Sequence, residues 1–162
     1  MPFDATLRSE ECNCFAVRSA ARHVTQFYDR LLAPTGLRTT QYSILAKLKR
    51  LGPLTINALA EAMVMDRTTL GRNIRPLERD GLIRIEPGAT DRRARELHLT
   101  AAGVKRHQAG GHGWSKAQAD FDNIFGSKRA ATLRALLRAV VASELGVPEQ
   151  DKRGRPARMR PC

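Results

Sequence analysis

Residues 59–103 read LAEAMVMDRTTLGRNIRPLERDGLIRIEPGATDRRARELHLTAAG, and the hydrophobic period changes inside this stretch. Leu70, Ile74 and Leu77 stand at i, i+4 and i+7, one face of a helix. Asp66 precedes them as a good N-cap and Gly81 ends the pattern. Pro76 falls within it, cannot donate to the Arg72 carbonyl and is expected to kink the last turns. Beyond Gly81 the period shortens to two. Ile83 alternates with Ile85, and Leu97 with Leu99, so Leu82–Glu86 and Glu96–Leu99 read as short strands. The loop between them, Pro87–Arg95, carries Gly88, Asp91 and the arginines Arg92, Arg93 and Arg95. A helix followed by a hairpin with a basic tip is the result.

Upstream, a long helix is expected from about Ser9 to Leu32, on a stripe of Cys14, Val17, Ala21, Val24, Tyr28 and Leu31, widened by Phe15, Ala20 and Phe27. It stops near Pro34-Thr35-Gly36. One face of it can serve its own core and the adjoining face a partner subunit. Thr40–Leu51 follows as a second helix, with Thr39 as its N-cap and Tyr42, Leu45 and Leu48 buried. A short third helix, Ile56–Ala62, is capped by Thr55. Downstream, Thr100 caps a fifth helix through Val104, Trp114, Ala117 and Phe121; Gly110, Gly111 and Gly113 interrupt it at about 1 kcal/mol each in propensity. A sixth after Gly126-Ser127 carries Leu133, Leu136, Leu137, Val140, Val141 and Leu145.

The expected organisation is a mostly α-helical chain with a small β-hairpin. Residues 1–38 stand apart as an N-terminal helical part, 39–100 as a unit of three helices and a hairpin, 101–147 as C-terminal helices and 148–162 as a disordered basic tail with Lys152, Arg153, Arg155, Arg158 and Arg160.

The charge balance points the same way. Lys and Arg number 28 against 16 Asp and Glu, a net charge of +12, which suits a polyanionic partner. No run of about 20 apolar residues is present to cross a membrane, and no apolar signal core opens the chain, so a cytoplasmic location is expected. In a helix-turn-helix the second helix of the motif enters the major groove, where each base pair shows a distinct donor and acceptor pattern. With Leu70, Ile74 and Leu77 inward, the other face offers Thr68, Arg72, Arg75 and Arg79, flanked by Arg67, Thr69 and Asn73. Arg can bridge guanine O6 and N7, and Asn can bridge adenine N6 and N7. Backbone N–H groups at Thr55 and Asp66 can meet phosphates. A charge-rich helix face alone is equally a solvated surface. The arginines of the hairpin tip shift the balance, because a narrow minor groove concentrates negative potential.

The pieces DRTTL (66–70), LERDGLI (77–83) and DRR (91–93) followed by the LHLT strand end (97–100) resemble the winged helix-turn-helix of regulators of the multiple-antibiotic-resistance-regulator (MarR) type. The resemblance extends to the long first helix and to WSKAQADF (114–121). It implies a homodimer held by the first, fifth and sixth helices on a pseudopalindromic DNA duplex. It assigns DNA contacts to Arg67, Thr68, Thr69, Arg72 and Asn73, pairs the wing Asp91 with Arg93, and sends Arg93 into the minor groove. It further implies relief of a repressor by a small aromatic or phenolic ligand.

Other chemistry is weakly signalled. Cys12 and Cys14 stand near the start of the first helix, where the positive helix end favours a thiolate and an oxidant sensor is an alternative; burial as small core residues is the plainer expectation. Cys-x-Cys supplies two metal ligands and no spaced second pair follows, so neither metal nor cofactor is expected. No carboxylate pair, phosphate loop or nucleophile motif appears, so no enzymatic activity is expected. His98 is expected to be exposed. Trp114, Phe121 and Phe125 can line an effector pocket or simply pack. A winged-helix protein that binds RNA or another protein through the same basic face is the competing reading.

Overall fold

The computed structural model describes residues 12–89, 91–143 and 145. The expected basic tail at 148–162, and the start of the first helix before residue 12, lie outside them. The chain divides into two compact units, one ending at Ala119 and the other starting at Asp120.

In the first unit, α1 (Asn13–Leu32) runs into a 3-10 turn, Ala33–Thr35, that closes on Gly36 with φ 72°. Pro34 sits in the first turn of that short helix, where a missing N–H costs no bond. Next come α2 (Thr39–Leu51), β1 (Leu54–Thr55), α3 (Ile56–Met63) and α4 (Arg67–Arg79). The strands β2 (Ile83–Pro87) and β3 (Arg95–Leu99) precede α5 (Ala101–Phe125). The second unit holds the end of α5 and α6 (Ser127–Ala142).

The sheet has three antiparallel strands in the order β1-β3-β2 rather than the expected two. Leu54 pairs with Leu97 and Thr55 with Glu96, while Ile83 pairs with Leu99 and Arg84 with His98. This register sends Ile83 and Leu97 into the core. There they meet Leu45, Leu48, Leu59, Leu70, Ile74 and Leu77, so the helical and the two-residue periods converge on one apolar cluster. Each of those leucines and isoleucines contributes about 1.5–3 kcal/mol by leaving water. Pro76 does not end α4, whose last turn continues to Arg79 and whose apolar face stays buried across it.

Caps fix the helix ends. The Thr55 hydroxyl accepts from Ala58 N–H at 3.2 Å, and Thr100 Oγ1 accepts from Gly103 N–H at 3.0 Å. Thr39, however, is the first residue of α2 and not its cap; Arg38 holds that position.

The glycines of α5 do not break it. A Cβ on Gly110 would stand 2.8 Å from the Tyr42 ring, and one on Gly113 would overlap the Leu31 carbonyl oxygen. These residues let α5 approach its neighbours, and the packing outweighs the lost propensity.

The His107 ring stacks on Tyr42 with centroids 4.8 Å apart, and its Nδ1 is buried without a hydrogen-bond partner. Burial, helped by the charge of Lys49, holds its pKa below the ordinary 6.5. The unfolded chain therefore takes up a proton first, so stability present above about pH 6.5 is lost as pH falls through that value toward the folded one. Thermal unfolding should occur at lower temperature near pH 5 than near pH 7.5. His107→Phe, which keeps the stack, should shrink that difference. An equal pH dependence in the variant would rule this histidine out as its source.

Candidate nucleic-acid interface

α4 owes its start to Asp66. The carboxylate accepts from Thr69 N–H at 2.8 Å and from the Thr69 hydroxyl at 2.6 Å, and these bonds hold its pKa below the ordinary range. The cap fixes the entry into the helix and turns its next residues outward. Before it, the chain passes through Val64 in the left-handed region, φ 52°, which reverses direction between α3 and α4.

Beyond the cap, Arg67, Thr68 and Arg72 are exposed, and Arg75 continues the same exposed side. None of these arginines has an ion pair among the described residues. Two expected readers are already engaged. Thr69 gives its hydroxyl to the cap, and Asn73 donates its amide to the Thr69 carbonyl at 2.9 Å and is half-buried. Thr55 is half-buried, with its hydroxyl spent on capping α3.

The wing tip is a compact loop. Gly88 N–H donates to the Ala94 carbonyl at 2.8 Å and Ala94 N–H to the Asp91 carbonyl at 3.0 Å. The Asp91 carboxylate accepts the backbone N–H of Arg93 at 2.9 Å. The expected Asp91–Arg93 pairing is thus a backbone bond and not a side-chain ion pair. It leaves the Arg93 guanidinium free to project, and Arg92, Arg93 and Arg95 are all exposed. Five strand residues separate the α4 end of the hairpin from its tip, a reach of about 16 Å.

On the outer face of the sheet, His98 is half-buried, not exposed. Its Nε2 lies 3.8 Å from Glu86 and 3.6 Å from Glu96, and Glu86 also binds Arg84 at 2.8 Å. Strand alternation alone signalled the face but not these two carboxylates across it.

Trp114 belongs to the first unit and stacks with Tyr42 at 6.3 Å, whereas Phe121 and Phe125 belong to the second and face each other at 5.4 Å. A hollow of about 280 Å3 beside Tyr42 is lined by Ser43, Ala46, Lys47 and Arg50, residues that sequence reading did not single out. Cys12 and Cys14 are exposed free thiols, so burial as core residues is overturned. Of the helical stripe that suggested burial, the rest of this chain buries Tyr28 and partly covers Val24 and Leu31, while Cys14, Val17 and Ala21 stay exposed. No group of three His, Cys, Asp or Glu residues that could hold a metal ion occurs among the described residues. No described helix is long and apolar enough to cross a membrane.

A capped, arginine-bearing helix behind a three-helix core, joined to a hairpin with a basic tip, defines a winged helix-turn-helix protein. Residues 37–94 match the model of the MarR family. The chain is 34% identical to the Mycobacterium tuberculosis transcriptional regulator MosR, whose crystal structure aligns with a TM-score of 0.71 over 83% of this chain and 99% of that one. The crystal structure of MosR in complex with DNA gives 37% identity and a TM-score of 0.70 over 83% of this chain and 100% of that one. YwoH, an uncharacterized HTH-type transcriptional regulator of Bacillus subtilis, is 27% identical over 92 residues, 57% of this chain and 66% of YwoH's length. The chain belongs to the MarR family of transcriptional regulators.

Proposed function

We propose that this protein is a cytoplasmic, non-enzymatic repressor that binds a pseudopalindromic duplex operator as a homodimer and is released by a small aromatic ligand. The observation that carries the reading is the outward face of α4, where Arg67, Thr68 and Arg72 stand exposed beyond the Asp66 cap. That cap directs the helix N-terminus outward, and unpaired arginines there suit guanine edges and phosphates. Arg92, Arg93 and Arg95 on the wing suit the adjoining minor groove. The crystal structure of MosR in complex with DNA supports DNA as the partner.

Dimerisation is supported by the apolar side chains the lone chain leaves in water. Phe15 and Val17 on α1 are exposed, as are Leu136, Leu137, Val140 and Val141 on α6. Residues 1–38 and 101–147 serve as the dimerisation parts and 39–100 as the reading part. For the ligand, the hollow beside Tyr42 offers an aromatic ring together with the cationic Lys47 and Arg50, which suits a small aromatic anion.

A second reading is favoured by the thiols. Cys12 and Cys14 are both exposed, with Cys12 at the N-cap of α1, where an oxidant reaches them. On that reading the same repressor responds to peroxide.

One experiment tests both. Duplexes selected from a random pool should converge on an inverted repeat bound in preference to single strands and RNA. The complex is then challenged with phenolic acids and, separately, with peroxide. Preference for RNA would overturn operator binding. Release by peroxide, restored by a thiol reductant and absent in Cys12→Ser, would make the oxidant the trigger.

A further inference from the structure

We infer that Asp29 is a positioning residue that fixes the angle between α1 and the DNA-reading unit, and so sets the half-site spacing the dimer accepts. The inference rests on the dimeric operator reading above.

The first N–H groups of a helix need partners outside it, ordinarily a side chain of the N-cap residue. In α2 the N-cap is Arg38, whose guanidinium has no acceptor to offer. Asp29, ten residues earlier and on α1, takes over. Its Oδ1 accepts from both the N–H and the hydroxyl of Thr39, each at 2.7 Å, and its Oδ2 accepts from Arg38 Nη1 at 3.3 Å. The side chain is 18% exposed. Burial alone would raise its pKa, but the bonds from Thr39 and Arg38 outweigh it and hold the carboxyl below the ordinary 3.8. A full negative charge thus sits against the positive end of α2, partly shielded from water.

The attachment of α1 to the unit is concentrated at this end. Its buried residues are Tyr28 and Leu32, and Leu31 is where Gly113 of α5 comes close. Arg106 of α5 bridges the same elbow, donating to the Thr35 carbonyl at 2.9 Å. The other end of α1, with Phe15 and Val17, is exposed in the lone chain and free for a partner.

A helix of 20 residues is about 30 Å long. A change of about 10° at one end therefore moves the other by about 5 Å, more than the roughly 3.4 Å between base pairs. In a dimer built on α1, a loose elbow becomes a loose distance between the two reading helices, and that distance sets half-site spacing. The bonds that Asp29 accepts from Thr39 and Arg38 are the polar clamp on this lever.

The test uses full-length wild type, Asp29→Ala and Asp29→Asn on duplexes whose selected half-sites are kept while the spacer is varied by one and two base pairs at fixed salt. Wild type should lose about tenfold for a one-base-pair change, comparable to the loss for a mismatched position. Asp29→Ala should flatten this to within about threefold while holding a single half-site as wild type does. Asp29→Asn, whose Oδ1 still accepts from Thr39, should keep most of the preference. An equal loss on every spacer in Asp29→Ala, or an unchanged spacer profile, would overturn the inference.

Nitroxides at Arg18 and Arg50, in a background with Cys12, Cys14 and Cys162 replaced by serine and diluted with unlabelled protein, read the α1–α2 distance without DNA. A broader distribution in Asp29→Ala supports the clamp, and an unchanged width overturns it. If wild type binds no inverted repeat, the operator reading fails, and this width still decides the elbow.

Discussion

Gly103→Ala is expected to cost about 3 kcal/mol of folding stability, at the upper end of what overpacking a fixed site costs. Gly103 is buried in the first turn of α5, and a Cβ there would overlap the Leu82 carbonyl oxygen and lie 2.7 Å from Leu99 Cδ1. The side chain of Leu99 can shift, but the carbonyl cannot. Leu82 O already accepts from Thr100 N–H at 3.1 Å, and the Thr100 hydroxyl reaches Gly81 O at 2.7 Å, so the start of α5 is sewn to the start of β2. Gly111 provides the comparison. It lies in the same helix with nothing within 4 Å of its would-be Cβ, so Gly111→Ala should stabilise by about 0.5–1 kcal/mol through propensity alone. Urea unfolding of the two variants decides the matter. Similar midpoints would show that the contact at Gly103 gives way without strain.

Arg93→Ala should weaken operator binding by about 1–3 kcal/mol at fixed salt, the range for a well-placed arginine. The structure sharpens the reason. Asp91 holds the backbone of residue 93, not its guanidinium, so the loop shape survives truncation and only the projecting cation is lost. Arg84 is the control on the same hairpin. It is engaged with Glu86 at 2.8 Å on the strand face, so Arg84→Ala should change affinity far less. Equal losses for the two would mean that the wing acts by net charge alone, and no loss for Arg93→Ala would remove its tip from the mechanism.

What could be read in advance was local. The face of Leu70, Ile74 and Leu77, the caps at Thr55, Asp66 and Thr100, and the two alternating strands all depend on residues within a few positions of one another. What escaped depends on residues far apart in the chain. β1 is two residues long, too short to show a period, and exists because Leu54 finds Leu97. The cap of α2 escaped because its acceptor, Asp29, comes from another helix. The glycines of α5 looked like breaks because Tyr42 and Leu31, which they admit, are remote in sequence. Among the candidate readers, residue type marked Arg67, Thr68 and Arg72 correctly as exposed. It could not show that Thr69 and Asn73 had turned back onto their own helix. The stripe on α1 gave the spacing of an apolar face but not the identity of what covers it, which is why the thiols were misplaced.

The two-residue β1 also makes the hairpin a poor candidate for transplantation. Thr55 is at once the last residue of that strand and the cap of α3, and it pairs with Glu96 in the middle strand. An engineer who grafts residues 82–100 onto a related scaffold carries away one side of a seam and leaves the other behind. The recipient's α3 then begins against an edge cut for a different hairpin, and the fault surfaces in the reading head rather than in the graft. A portable module from this chain starts at residue 54, with α3 and α4 travelling alongside the strands that hem them in.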